Sequence, residues 1–146
     1  MSPQPPQPQQ LCLLTFGQIT QYWNQIEWRL HQIPGFDRDW TLEALLEKLA
    51  EGTLSVWTVG SDMIVLTTIV EYPKTRVMQI IFAQGSELDE HLASIWDVFH
   101  HYADLKDCTR IELFGRPGWF RKLRKFPDVK TEFTVLSTPV RKRSKH

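Results

Sequence analysis

The stretch of this chain best suited to chemistry is a short turn, Gln84-Gly85-Ser86, between an apolar strand pattern and a long helix pattern. Many α/β proteins hold a phosphorylated cofactor at such a turn, because the first amides of the helix face the anion. Three carboxylates, Glu87, Asp89 and Glu90, follow at once. They stabilise the helix start by about 0.3–1 kcal/mol each and repel an incoming pyrophosphate. The turn is therefore predicted to be an ordinary capped helix start without a cofactor.

The C-terminal end is a second candidate site, because it is strongly basic. Residues 1–115 hold 7 Lys/Arg and 15 Asp/Glu, a net charge of −8, whereas residues 116–146 hold 10 and 2, a net charge of +8. Solvated surfaces mix the two signs more evenly. We expect this end to bind an acidic neighbour: the body of the chain, another copy of it, or nucleic acid. The candidate contact residues are Arg116, Trp119, Arg121, Lys122, Arg124, Lys125, Arg141, Lys142 and Arg143.

Other catalytic sets do not stand out in the sequence. No Ser/His/Asp arrangement and no metal-ligand spacing rises above chance, so we expect no metal. Cys12 and Cys108 are too few for a disulfide framework and are expected to be small buried thiols. No apolar run approaches the roughly 20 residues of a membrane helix, and no secretory signal is visible. We therefore expect an intracellular protein with no membrane partner.

The elements around the turn follow from the spacing of apolar residues. Residues 76–83 and 109–114 have the pattern of strands, and residues 87–105 have that of a helix. Strand, crossover helix and strand make a βαβ unit, whose strands lie parallel in one sheet. Two further strands, 53–59 and 63–71, precede this unit and complete an antiparallel meander.

The N-terminal third predicts one strand and two helices. Residues 11–14 form a short apolar strand. Thr15 opens a helix with a capping box, and Pro34-Gly35 ends it. Thr41 caps the next helix, which ends at Gly52. Both helices carry apolar residues every three or four positions, so each is expected to pack one face on the sheet.

The C-terminal part predicts a helix and a last strand. Pro117 suits the first turn of a helix because its missing N–H has no partner there. Residues 130–137 are expected to form the final strand. The whole is an α/β chain with a mixed sheet (α+β) in the order β-αα-βββ-α-β-α-β. We predict one domain, 11–140, between a Pro/Gln-rich tail, 1–10, and a basic tail, 141–146.

This order resembles the GNAT fold of N-acetyltransferases over about residues 11–140. Short segments also resemble small GNAT-like proteins encoded by bacteriophages and prophages. The segments are Trp40-Thr41-Leu42-Glu43, Glu51-Gly52, Trp57, Tyr72-Pro73, Gly85, Gly115-Arg116-Pro117-Gly118-Trp119 and Leu123. The Gly-Arg-x-Gly-Trp segment is the most specific of them. A fold by itself does not establish activity.

The resemblance implies a cofactor turn of the form Gln/Arg-x-x-Gly-x-Gly/Ala, a glutamate base on the strand 76–83 and a tyrosine acid after Gly115. The chain keeps only Gly85 of the glycine pattern and has no glutamate on that strand. Trp119 and Phe120 stand where the tyrosine would be, and neither can donate a proton. The possible substitutes are Glu71, His100, His101 and Tyr102.

Three functions compete on this evidence. We expect first a non-catalytic GNAT-like bacteriophage protein, a structural component of the virion or its assembly. It would bind no cofactor, would contact other protein chains or its own copies, and would reside in the virion or the host cytoplasm. The alternative is an acetyl-CoA-dependent N-acetyltransferase whose Gln84, Gly85 and Ser86 hold the cofactor. The second alternative is a nucleic-acid-binding accessory protein, although no known reading motif is present.

Overall fold

The computed structural model of the chain describes residues 11–59, 63–85, 88–115 and 117–142, and only the backbone of 88–91, 117 and 120. The N-terminal tail, Ser86, Glu87, Arg116 and Arg143 lie outside the described residues. The chain divides into two compact units, Met1–Gly115 and Arg116–His146.

The elements are β1 (Leu11–Leu13), α1 (Phe16–Gln21), α2 (Trp23–His31), α3 (Phe36–Asp39), α4 (Leu42–Glu51), β2 (Leu54–Val59), β3 (Met63–Glu71), β4 (Arg76–Gln84), α5 (Leu88–Leu105), β5 (Arg110–Leu113) and α6 (Pro117–Leu123).

The first unit is built on a five-stranded sheet with the order β1-β2-β3-β4-β5. The first four strands are antiparallel neighbours, whereas β4 and β5 are parallel. The helix α5 connects these two parallel strands, as a crossover connection requires. The predicted meander and the predicted βαβ unit are therefore both confirmed.

The helices α1, α2 and α4 cover one face of the sheet. The sheet contributes the alternating residues of β2 and β3 to this core, and each of the two helices α2 and α4 contributes a stripe. The central members are Ile26, Leu30, Leu45, Leu54, Val56, Ile64 and Leu66, all of them buried. This core fixes the orientation of β3, and through it the path of β4.

The helix α5 covers the opposite face through aromatic contacts. The Trp57 indole N–H donates to Thr67 Oγ1 at 2.9 Å, and both residues are buried. The rings of Phe99 and Tyr102 on α5 meet the Trp57 ring edge to face, at centroid distances of 5.1 and 4.9 Å. Such contacts add to the free energy of burial. None of the described helices combines the length and the apolar character that crossing a bilayer requires.

The predicted caps at Thr15, Thr41 and Gly52 are confirmed, whereas the predicted cap of α5, Ser86, lies outside the described residues. Thr15 Oγ1 accepts from the Gln18 amide at 3.2 Å, while Gln18 Oε1 accepts from the Thr15 amide at 2.9 Å. Thr41 Oγ1 accepts from the Ala44 amide at 3.1 Å. Gly52 ends α4 with a φ of 78°, a conformation that glycine adopts without steric cost. These ends were predictable because the interactions span only three residues.

Three local predictions are wrong. The first predicted helix is interrupted at Tyr22, whose ψ is 21°. The chain changes direction there, and Ile19 before the break and Ile26 after it are both buried in the core. A further short helix, α3, follows Gly35 and buries Phe36. Cys12 is exposed rather than buried, because β1 is a three-residue strand at the edge of the sheet.

The predicted final strand over 130–137 is also absent from the described part of the second unit. Residues 131–142 adopt no regular secondary structure, and 131–140 are exposed throughout. Phe133 is 85% exposed and Leu136 90% exposed. An alternating pattern gives a strand only where a neighbour supplies hydrogen bonds and a face to bury. The pattern exists here, but the described residues of the second unit supply no such neighbour.

Replacing Trp57 with phenylalanine tests the hydrogen bond beneath α5. The variant keeps the aromatic contacts but leaves the buried Thr67 hydroxyl without its donor, which costs about 1–3 kcal/mol of unfolding free energy. Trp28→Phe is the matched control, because Trp28 is 66% exposed and its loss should change stability by less than about 0.5 kcal/mol. Urea unfolding of both variants measures the difference, and equal effects would contradict this role of Trp57.

Candidate functional site

The candidate site is the place where the parallel strands β4 and β5 part. Their pairing ends at Ile80 and Leu113, and the Phe114 amide donates to the Ile80 carbonyl at 3.2 Å. Beyond this point β4 continues through 81–84, which is about 13 Å of strand. Over 81–84, β4 pairs with β3 and makes no ladder pair with the described residues of β5. We call this opening the fork.

A β-bulge marks the start of the fork. Leu66 pairs with Phe82 and Thr67 pairs with Ile80, so Ile81 is the extra residue on β4. A bulge bends its strand and increases the local twist. Since it lies directly after the last β4–β5 pair, it explains why the two strands separate there. The fork is thus a consequence of the bulge in β4.

The predicted cofactor residues lie at the far end of the fork. Gln84 is the last residue of β4 and is half-buried, and Gly85 follows it exposed with a φ of 138°. Side chains rarely adopt such a φ, so glycine is required at this position. The helix α5 begins at Leu88, so its first amides lie close to Gly85 along the chain. Ser86 lies outside the described residues.

A carboxylate that the sequence analysis missed lies beside the start of the fork. Gln79 Nε2 donates to Glu112 Oε1 at 3.2 Å, and Arg110 Nε lies 3.5 Å from Glu112 Oε2. The Glu112 side chain is 23% exposed. Gln79 and Glu112 are the register pair immediately before Ile80 and Leu113. Glu112 is therefore held in place and still reaches solvent, as a proton acceptor must.

The signal for Glu112 was present in the sequence. It alternates with Ile111 and Leu113 on a short strand, so it points away from the face that they occupy. The base was expected on β4, with substitutes on β3 and α5, and Glu112 on β5 was not among them. Only the parallel register brings β5 alongside Gln79.

The substitutes named from the sequence do not gather at the fork. Glu71 forms an ion pair with Arg76 at the other end of β4, about 30 Å of strand away from Gly85. His100 and His101 are exposed, and Tyr102 packs on Trp57. These three follow the start of α5 by at least 12 residues, about 18 Å. Within the described residues no group of three or more His, Cys, Asp and Glu could hold a metal ion.

The described basic residues of the second unit are solvent-exposed. They are Arg121, Lys122, Arg124, Lys125, Lys130, Arg141 and Lys142. Trp119 is partly buried, and the Lys122 ammonium lies 5.6 Å from the centre of its ring. Lys125 lies similarly over Phe126 at 5.5 Å, and Leu123 is buried. These cation–π contacts hold part of the basic surface on α6 and just after it. The role of this surface in binding a partner stays a prediction.

No family model and no curated protein sequence matches the chain. Among solved structures, one described as a probable acetyltransferase matches 92% of this chain and 99% of its own, with a TM-score of 0.68 and 8% identity. The ribosomal-protein-alanine N-acetyltransferase of Brucella melitensis biovar Abortus matches 90% of this chain and 99% of its own, with a TM-score of 0.61 and 13% identity.

A third solved structure has its cofactor in the description. It is described as a predicted acetyltransferase from Clostridium acetobutylicum with acetyl-CoA, and the match covers 88% of this chain and 95% of that one, with a TM-score of 0.62 and 14% identity. These likenesses contradict the expectation of a non-catalytic virion component and favour the acetyltransferase alternative. The chain has the mixed α+β architecture of the GNAT-like fold.

Proposed function

We propose that the chain is an acetyl-CoA-dependent N-acetyltransferase. The observation that carries the proposal is the fork, because β4 presents four residues of unpaired edge, 81–84, between Glu112 and the start of α5. Acetyl-CoA is a long molecule with a thioester at one end, two amides along its arm and a pyrophosphate further on. A free strand edge pairs with amides as it would with another strand. The fork offers a fitting partner for each of these groups.

The direction of the cofactor follows from the chemistry of the two ends. The pyrophosphate belongs at Gly85 and the first amides of α5, where the helix dipole favours an anion. Residues 81–84 would then hold the arm, and the thioester would reach the start of the fork, where Gln79 holds Glu112. The resemblance of a solved neighbour with acetyl-CoA supports this arrangement.

Glu112 is proposed as the general base. An acceptor amine must lose a proton before or as its lone pair attacks the thioester carbonyl, and a carboxylate within reach takes that proton directly or through one water. The C–N bond forms, the C–S bond breaks, and the electron pair leaves with the sulfur of coenzyme A. Gln79 and Arg110 hold the Glu112 carboxylate in position.

The missing tyrosine acid does not exclude this reaction. Trp119 and Phe120 cannot protonate the departing sulfur. A thiol, however, has a pKa of about 8.5, so its thiolate leaves without the help that an alkoxide or amine requires. Solvent can supply the proton after departure.

The acidic first turn of α5 weakens cofactor binding without preventing it. Glu87, Asp89 and Glu90 are close to the proposed pyrophosphate position in sequence. Salt screens exposed charges over about 8 Å under physiological conditions. A penalty of about 0.3–1 kcal/mol for each charge corresponds to about 2- to 5-fold in affinity. Such a loss still permits binding in the micromolar range.

We also propose that the chain is encoded by a bacteriophage or a prophage. Gly115-Arg116-Pro117-Gly118-Trp119 supports a place among small GNAT-like proteins of bacteriophages and prophages. The support is this segment alone. A basic second unit that contacts an acidic neighbour stays compatible with the enzyme.

Calorimetry with acetyl-CoA tests the proposed cofactor site. We expect micromolar binding by the native chain and no measurable binding by Gly85→Glu, which adds both a side chain and a negative charge at the pyrophosphate position. Gly35→Glu is the matched control, since Gly35 also has a positive φ, 86°, and precedes α3 rather than α5. Absence of binding by the native chain would refute the proposal. Equal loss in both variants would show an effect on folding only.

Removing charge from the first turn of α5 should improve binding. Asp89→Asn with Glu90→Gln is expected to lower the acetyl-CoA dissociation constant about 4- to 25-fold at low salt, since each charge contributes about 2- to 5-fold. The gain should shrink as salt rises. Asp97→Asn, two turns or more further along α5, is the control and should leave the constant unchanged. An unchanged constant in the double variant would contradict the position assigned to the pyrophosphate.

The base role of Glu112 is tested by thiol release from acetyl-CoA in the presence of peptide, polyamine and aminoglycoside amines. With every amine that supports thiol release, Glu112→Gln should lower kcat about 10²- to 10⁴-fold. The dissociation constant for acetyl-CoA should stay unchanged. Glu71→Gln, at the other end of β4, serves as the control and should keep the native rate. A Glu112→Gln enzyme with full activity would rule out this assignment.

A further inference from the structure

The helix α2 carries an exposed tryptophan on its outer face. Trp28 is 66% exposed, whereas Ile26 and Leu30, two positions before and after it, are buried. Two positions correspond to about half a helical turn, so Trp28 points away from the core that the other two residues join. Tryptophan is largely buried on average in folded proteins and is enriched where one surface covers another. An occupant of this face would bury a large apolar ring.

Side-chain amides surround the exposed ring. Residues three or four positions apart on a helix are neighbours, and three of the four neighbours of Trp28 are exposed amides: Asn24, Gln25 and Gln32. The fourth neighbour, His31, is bound to Asp37 Oδ1 at 2.7 Å. We call Trp28 with Asn24, Gln25 and Gln32 the amide–indole face. It offers one large ring together with hydrogen-bond donors and acceptors, and it carries no formal charge.

The sequence that leads to this face is also uncharged. Residues 1–26 contain no Asp, Glu, Lys, Arg or His, whereas a chain that is 23% charged would carry about six charged residues in that length. Charged side chains normally keep protein surfaces in water and apart from one another. A charged occupant would lose its hydration on such a surface without gaining an ion pair. The amide–indole face therefore fits an uncharged occupant.

We propose that the occupant is the N-terminal tail of the same chain, residues 1–10, which lie outside the described residues. Its sequence, MSPQPPQPQQ, is uncharged and holds four prolines and four glutamines. Proline-rich segments form the polyproline II helix, which binds exposed aromatic rings at low entropic cost. The proline rings would lie on the indole of Trp28. The backbone carbonyls of the tail would accept hydrogen bonds from the amides around it.

The tail leaves the sheet close to this part of α2. Leu11 pairs with Val59, and Val59 pairs with Met63 on the next strand. Arg29, the residue after Trp28, donates from Nη1 to the Met63 carbonyl at 3.5 Å. Two strand spacings, about 10 Å, and the width of one helix, about 10–12 Å, separate Leu11 from the outer face of α2. Ten residues of polyproline II span about 31 Å, so the tail is long enough.

The same distances assign the contact to particular prolines. At about 3.1 Å per residue, Pro3 and Pro5 can lie about 25 and 19 Å from Leu11. Pro8 can lie only about 9 Å from it. Pro3 and Pro5 therefore reach Trp28, whereas Pro8 belongs to the connection between β1 and the docked part of the tail.

Covalent attachment favours this tail over a proline-rich segment of another molecule. A short connection gives an attached segment an effective concentration in the millimolar range. A contact with a dissociation constant of about 1 mM would then hold the tail on the face for about half of the time. A second copy at micromolar concentration would leave the same face almost empty.

Nuclear magnetic resonance of the full chain with a soluble nitroxide tests this contact. The Trp28 indole N–H resonance is identified by its absence in Trp28→Phe, and its line broadening by the nitroxide measures how open the ring is. We expect the broadening to be about twofold greater in Pro3→Ser with Pro5→Ser than in the native chain, because the docked half of the population is lost. Pro8→Ser is the matched control and should broaden as the native chain does. The buried indole of Trp57 is the internal reference for an intact fold.

Protein concentration distinguishes the occupants. Broadening that stays constant over a tenfold range of protein concentration and increases in Pro3→Ser with Pro5→Ser supports the attached tail. Protection of Trp28 that rises with concentration overturns the proposal in favour of a second copy. Equal broadening in the native chain and the double variant overturns it as well, whether the ring is open or another part of the chain covers it. An increase in Pro8→Ser as large as in the double variant overturns the assignment of the prolines. This inference does not depend on the proposed acetyltransferase activity.

Discussion

The structure depends on one strand that pairs unequally with its two neighbours. The strand β4 pairs with β3 from Arg76 to Gln84 except at the bulge residue Ile81, whereas β5 pairs with it only as far as Ile80. The extra residue Ile81 bends β4 at that point, so the sheet opens without losing its continuity on the β3 side. Every group assigned to the chemistry lies along this opening. Glu112 is at its start, and Gly85 and the first turn of α5 are at its end.

Two different cores hold this arrangement rigid. On one face, apolar stripes of α2 and α4 pack on β2 and β3 at close to full burial. On the other, α5 is attached through the aromatic cluster around Trp57, whose indole is itself fixed by Thr67. The second contact has a consequence for the site, because the direction of α5 sets where its N-terminal amides point. Packing far from the fork therefore positions the first amides of α5, where the pyrophosphate is proposed to bind.

At the proposed cofactor turn the charges of the sequence disfavour an anion, whereas the strand topology favours a cofactor. The sizes of these two effects on affinity decide between them. Three carboxylates that follow Ser86 in the sequence argue against an anion, but a charge near a helix start changes affinity by only about 2- to 5-fold. The unpaired edge of β4 offers several hydrogen bonds and a shape that matches a long cofactor. The charges can be counted in the sequence, whereas the unpaired edge exists only in the folded sheet. The fold comparisons contradict the expectation of a non-catalytic virion component, because the solved neighbours are described as acetyltransferases.

The sequence by itself determined what local interactions control. Thr15 and Thr41 cap their helices and Gly52 ends one, because each acts within a few residues, and alternating apolar residues gave the strands of the meander. Tertiary structure decided whatever needs a distant partner. Glu112 contacts Gln79 only because β4 and β5 pair in parallel register. Residues 130–137 adopt no regular structure, because a strand forms only beside another strand.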